Sequence, residues 1–326
     1  MNMNIVKLHY VALVITGTLL SGMIYPAFSS QIRDIVISPG LTLTPLEASG
    51  ITYLDELKSF LVISDDTENK RPDLFLMDTS GRITNRTTIK GLKKINDMES
   101  ISLSGPDHLY TLSSQSYNKK GIQSPARTLF VQIKRNNNNF ECTGSVTLLN
   151  LLLSASTNAP KEKWAQFIQK ANSNKSIDIE GMAVFKDTLL LGFKDPKINN
   201  HAVILAISEF NSVFTSGNLS VNQISLWKKL SLYDTATATY CGISDMTVYN
   251  NEIYGVSTGV ATKNGVNKDV GLLWKYSPST DSIRIIRNFI GIKPEGITIF
   301  GDPSRYCIVF DNGTEVPSQF LIDTLF

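Results

Sequence analysis

Five short segments of the chain open in the same way, and three of them open with glutamate. Glu99-Ser-Ile-Ser-Leu, Glu180-Gly-Met-Ala-Val and Glu295-Gly-Ile-Thr-Ile share a pattern with Ser49-Gly-Ile-Thr-Tyr and Ser244-Asp-Met-Thr-Val. Two residues before these starts stand Glu47, Asp97, Asp178, Gly242 and Lys293. Carboxylates at one place in a repeat can do three things once the repeats close on one another. They can hold a hard cation such as Ca2+, which takes carboxylate oxygens as ligands. Lysines can neutralise them in a structural network. Crowding can also raise the pKa of one until it works as an acid or base. The cation reading makes Glu99, Glu180 and Glu295 metal ligands, with Asp97 or Asp178 as the base. The plain alternative is a glutamate that bonds the backbone of a neighbouring repeat.

These residues can converge only if the repeats form a ring. Each pattern is followed by a turn and a second apolar run: Ser59–Ser64, His108–Ser113, Thr188–Phe193, Glu252–Ser257 and Arg305–Phe310. Turn-bounded runs rich in β-branched and aromatic residues read as strands. Third strands are expected at Leu74–Met77, Thr128–Ile133, Ala202–Ile207, Gly271–Tyr276 and Phe320–Ile322. Fourth strands are expected at Thr87–Ile89, Gly144–Leu149, Gln223–Trp227 and Ile283–Arg287. The repeat starts lie 50, 81, 64 and 51 residues apart. Four strands in units of this length are the signature of propeller blades. The expected fold is all-β, a five-bladed β-propeller of four-stranded antiparallel blades, with six blades as the alternative. The long second gap is taken up by one inserted helix, where Trp164, Phe167, Ile168 and Ala171 follow Pro160 at helical spacing. The last unit has three strands before the chain ends at Phe326. A strand at Ile32–Ile37 or Leu41–Leu43 would complete it and remove two open edges.

In such a blade the first strand begins where the second ends, because the two are antiparallel. The repeat starts therefore share one mouth with Asp65, Asp66, Lys194, Asp195 and Asp311. With Glu47 these form the expected ligand-binding set. A polar loop, Gln115–Gly121, adds Lys119, and Arg127 follows it as a further anion contact.

Other readings bound the context. Residues 1–30 read as an export signal: Lys7 near the start, an apolar run from Val11 to Leu20, and Ala27-Phe28-Ser29 as a cleavage pattern. Residues 31–326 are then a single propeller domain, periplasmic or secreted, with no stable membrane span and expected as a monomer. A net charge of +2 without long basic runs gives no reason to expect nucleic acid. The three cysteines, Cys142, Cys241 and Cys307, allow at most one internal disulfide, with Cys241–Cys307 the pairing considered. His108 and His201 lack metal-ligand spacing, and no nucleophile elbow or phosphate-binding glycine loop is present.

Glu47-Ala-Ser-Gly, Asp97-Met-Glu-Ser, Asp178-Ile-Glu-Gly-Met-Ala, Leu190-Leu-Gly-Phe-Lys-Asp-Pro, Gly242-Ile-Ser-Asp-Met, Pro294-Glu-Gly-Ile and Phe310-Asp-Asn-Gly occur in an order that resembles a bacterial family of exported propellers. That family is known only as a domain of unknown function and is distantly similar to the esterase-like phytase propellers. The resemblance implies export and a propeller, with no established reaction. Ser244 departs from it, since a basic residue is expected there. Two functions follow. One is a propeller whose acidic mouth binds a small-molecule or anionic ligand or a cation. The other is a Ca2+-dependent phosphoester, ester or lactone hydrolase in which Lys194 and Lys119 orient the substrate.

Overall fold

In the computed structural model, which describes residues 31–41 and 46–325, the chain is dominated by β-strands. The export-signal reading of residues 1–30 lies outside the described residues. Two short strands, β1 (Arg33–Asp34) and β2 (Val36–Ile37), come first. The first four-stranded run is β3 (Ala48–Leu54), β4 (Ser59–Ser64), β5 (Asp73–Met77) and β6 (Arg82–Lys90). The second is β7 (Met98–Leu103), β8 (His108–Ser113), β9 (Leu129–Asn136) and β10 (Asn139–Thr147). Helices α1 (Leu148–Thr157) and α2 (Lys163–Ser173) lead to the third, β11 (Asp178–Phe185), β12 (Thr188–Asp195), β13 (Ala202–Ser208) and β14 (Ile224–Leu230). A small hairpin, β15 (Tyr233–Asp234) and β16 (Thr239–Tyr240), precedes β17 (Gly242–Tyr249), β18 (Glu252–Lys263), β19 (Val266–Ser277) and β20 (Ser282–Ile290). The last sheet is β21 (Lys293–Phe300), β22 (Arg305–Asp311) and β23 (Gln319–Thr324), completed by β1.

The innermost strands form a circuit. β3 packs on β7, β7 on β11, β11 on β17, β17 on β21, and β21 back on β3. The apolar clusters follow the same circuit, one at each seam. Phe60 and Val62 meet Val309 and Phe300 where the first and last sheets join. Ile63 and Leu74 meet Ile101 and Ile133 at the next seam. Sheets stacked radially in this way bury both faces, and the fold is a β-propeller. Arg33 and Asp34 pair with Phe320 and Gln319, so the two ends of the chain share one sheet. Ser318 fastens the joint: its hydroxyl donates to the Leu46 carbonyl and accepts from the Ala48 amide.

The insertion contains two helices where one was expected. Leu149 and Leu152 of α1 pack with Trp164, Phe167, Ile168 and Ala171 of α2 against the second and third sheets. The apolar run after β10 continues as helix because it is mostly leucine, with little β-branching to favour a strand. All three cysteines are free, so the Cys241–Cys307 bridge is absent. Among the described residues no helix is long and apolar enough to cross a membrane.

The recurring pattern has a physical cause. Each innermost strand carries a β-bulge at the same place: the register slips between Ala48 and Gly50, Met98 and Ser100, Ile179 and Gly181, Ile243 and Asp245, and Pro294 and Gly296. The extra residue is the first of the pattern in every case: Ser49, Glu99, Glu180, Ser244 or Glu295. A bulge re-aims the side chain it carries. The second position is small because the axis is narrow: a Cβ on Gly296 would lie 2.9 Å from the Gly50 Cα.

Asp245 is the exception at that second position, and it fastens the ring. Its carboxylate accepts from Ser100 Oγ of β7 at 2.6 Å and from the Ile297 amide of β21 at 2.9 Å. Burial pushes its pKa well above the usual carboxylate range, while those donors and the Met246 and Met182 amides pull the other way. Replacing Asp245 by alanine strands the buried Ile297 N–H and Ser100 hydroxyl. Urea unfolding of Asp245→Ala should show a loss of about 3 kcal/mol, and Asp245→Asn, which keeps an acceptor, about half that.

Candidate functional site at the channel mouth

The mouth divides into two halves. In one, a carboxyl oxygen from each of Asp65, Asp97 and Glu99 lies within 4.8 Å of the other two. Asp65 follows the end of β4, and Asp97 and Glu99 frame the start of β7, so two neighbouring sheets build the cluster. Two oxygens bound to one Ca2+ at about 2.4 Å each can be no further apart than about 4.8 Å. The trio is thus within the span of a single cation, and an all-carboxylate set suits a hard ion.

Asp97 is the anchor of this half. It is buried, and its backbone adopts a left-handed φ of 61°, which aspartate tolerates better than most residues. Arg127 forms an ion pair with its carboxylate, and Ser114 donates a short hydrogen bond to the same oxygen. Ser116 donates to it at 3.3 Å and accepts from Arg127 at 2.8 Å. The Asp97 amide donates to the Asp65 carbonyl at 2.9 Å, which brings the two residues together. Burial, then the charge of Asp97 and a hydrogen bond shared with it, push Asp65 up to about 9. Asp65 therefore holds its proton more tightly than an ordinary aspartate. Burial, then Glu180, Asp65, Asp97 and Asp178, drive Glu99 well above its ordinary value.

In the other half, lysines answer the carboxylates. Lys194 Nζ lies 2.8 Å from Glu180 and 3.7 Å from Glu295. Lys293 Nζ lies 3.0 Å from Glu295 and 3.1 Å from Asp311. Of the three glutamates assigned to a cation from sequence, Glu180 and Glu295 are thus engaged by ammonium groups, and Glu99 sits with Asp65 and Asp97 instead. Asp178 stands beside the Lys194 half. Its pKa is pushed up to about 7 by burial, with Lys194 opposing and Asp97, Asp195 and Glu295 adding to the rise.

The remaining expected residues scatter. Glu47 is half-buried at the edge of the mouth, and burial, Asp311 and Asp66 raise its pKa against the pull of Lys293. Asp66 is exposed. Asp195 is exposed and pairs with Lys197 at 3.0 Å. Lys119 sits in an exposed turn closed by the Gly121 amide on the Asn118 carbonyl. Arg127 reaches the mouth, but as the partner of Asp97. Sequence reasoning missed Ser114 and Ser116 as supports of Asp97, and Asp245 as the axial clasp. An acid at a pattern position held elsewhere by glycine or serine was the available signal for Asp245.

With this geometry in view, the likenesses to known proteins can be placed. Residues 131–261 match a family described as a protein of unknown function, DUF3616. No curated protein matches the chain. Among solved structures, the tail fiber of Staphylococcus aureus phage P68 aligns with 12% identity and a TM-score of 0.42, over 90% of this chain and 52% of that one. A gluconolactonase from Xanthomonas campestris aligns with 10% identity and a TM-score of 0.40, over 87% and 89%. A GH43 protein from Bacillus licheniformis aligns with 9% identity and a TM-score of 0.44, over 91% and 55%. The chain spans about half the length of the first and third of these. Likenesses this distant carry no activity across.

The raised carboxyl of Asp65 leaves a mark on stability. A group that binds its proton more tightly when folded favours the folded state at low pH. That advantage is complete below about pH 4, the ordinary aspartate range, and is lost as the pH climbs towards about 9. The melting temperature of the metal-free protein should therefore fall across this window, and that of Asp65→Asn should fall less steeply. Parallel curves from differential scanning fluorimetry would remove the proton from Asp65.

Proposed function

We propose that the chain is a five-bladed propeller, exported to the periplasm or beyond, whose mouth binds a small ligand through a hard divalent cation, Ca2+ foremost. Asp65, Asp97 and Glu99 hold the ion. One observation carries this reading: three carboxyl oxygens from two neighbouring sheets lie within the span of one cation, while among the described residues Arg127 is the one cationic side chain paired with them. Clustered carboxyls at that distance must take up a proton or a cation. Asp65 Oδ1 is buried without a hydrogen-bond partner, as an oxygen reserved for an ion would be. The ion then presents its open positions to the channel, where the acceptor oxygens of a ligand can complete its shell.

A second reading makes the site a hydrolase of phosphoesters, esters or lactones, in keeping with the phytase-like resemblance of the sequence. Asp178 favours it. A carboxyl brought to about 7 is half-ionised near neutral pH, where a general acid or base works best. In this reading the bound cation polarises the substrate and Asp178 moves the proton.

Calorimetric titration of the protein with CaCl2 should show one ion per chain, with binding weakened at least tenfold in Asp65→Asn and in Glu99→Gln. No heat and no thermal shift with Ca2+, Mg2+ or Mn2+ would remove the cation. A phosphatase and esterase panel run with Ca2+ separates the two readings: turnover lost in Asp178→Asn supports the hydrolase, and binding without turnover supports the simpler function.

A further inference from the structure

The geometry points to Lys194 as the resident cation of the mouth: its ammonium occupies the place between Glu180 and Glu295 that a second metal ion would otherwise take. This rests on the cation reading above but concerns a different set of oxygens. Glu180 and Glu295 are each 5% exposed, yet Glu180 Oε2 and Glu295 Oε1 accept no hydrogen bond. Lys194 Nζ donates to Glu180 Oε1 at 2.8 Å and lies 2.8 Å from Glu180 Oε2 and 3.7 Å from Glu295 Oε1, and Lys293 Nζ lies 3.0 Å from Glu295 Oε1. Two buried glutamates that meet at one lysine ammonium describe a cation site whose occupant is part of the chain.

The fold makes room for that occupant. Lys194 comes from β12 and Glu295 from β21, and the strand between them in the ring is β17. β17 brings no acid to the mouth. It offers Gly242 and Ser244, and the Ser244 hydroxyl is turned to Thr258 Oγ1 of its own sheet at 3.0 Å. A Cβ on Gly242 would lie 2.0 Å from the Lys194 carbonyl oxygen, so only glycine lets the lysine backbone lie there.

Lys194 therefore limits the mouth to one exogenous ion. The test is equilibrium dialysis against CaCl2 followed by metal analysis of the protein. Lys194→Met should bind one more Ca2+ per chain than the natural protein. Lys194→Arg should show no gain, and Lys194→Met combined with Glu180→Gln should lose it again. The same Ca2+ content in Lys194→Met and the natural protein overturns the inference. If Lys194→Met does not fold, as judged by circular dichroism, Lys194→Gln replaces it under the same criterion. The two readings fail separately. No ion in the natural protein and one in Lys194→Met would remove the trio of Asp65, Asp97 and Glu99 as a site and keep the role of Lys194. One ion in both would do the reverse.

Discussion

The circuit of innermost strands leaves room at its axis for little more than backbone, and most of this structure answers to that limit. Glycine or serine fills four of the five second positions because a larger side chain would strike the facing strand. The fifth, Asp245, is tolerated because it fills the remaining axial space and uses it, accepting hydrogen bonds from β7 and β21 at once. Strands that are close enough for this cannot all keep regular pairing. Each sheds one residue into a bulge, and the five bulged residues share one mouth.

That sharing creates the electrostatic problem at the centre of the molecule. Carboxyl groups from separate sheets are forced together where burial already penalises their charge. The protein answers in two ways. On one side Lys194 and Lys293 neutralise Glu180, Glu295 and Asp311. On the other Arg127 and two serines hold the Asp97 carboxylate in place, and burial beside it raises the pKa of Asp65. The second arrangement is the one on which the proposed cation site rests.

The sequence made much of the fold legible. The β4 and β8 strands lie where turn-bounded apolar runs placed them, at Ser59–Ser64 and His108–Ser113. The N-terminal strand joins the last sheet, as an unpaired edge demands. α1 escaped notice because a leucine-rich run after a strand has no helical stripe distinct from a buried strand. β18 and β19 extend past their expected ends as a ribbon, since Val260 and Val266 keep strand propensity without burial. The repeat pattern was visible, but its meaning as a bulge was not, because register is a property of two strands rather than one.

By itself the sequence determined the strands, the repeat and the gathering of acids at one mouth, because periodicity and turn chemistry act over a few residues. It could not decide which acids meet one another and which meet a lysine. Asp65 and Asp97 become partners through one backbone hydrogen bond between sheets. Lys194 reaches Glu295 only because a glycine on an intervening strand lets its backbone pass. Such pairings turn on differences of an ångström across the ring, and only the closed tertiary structure sets those distances.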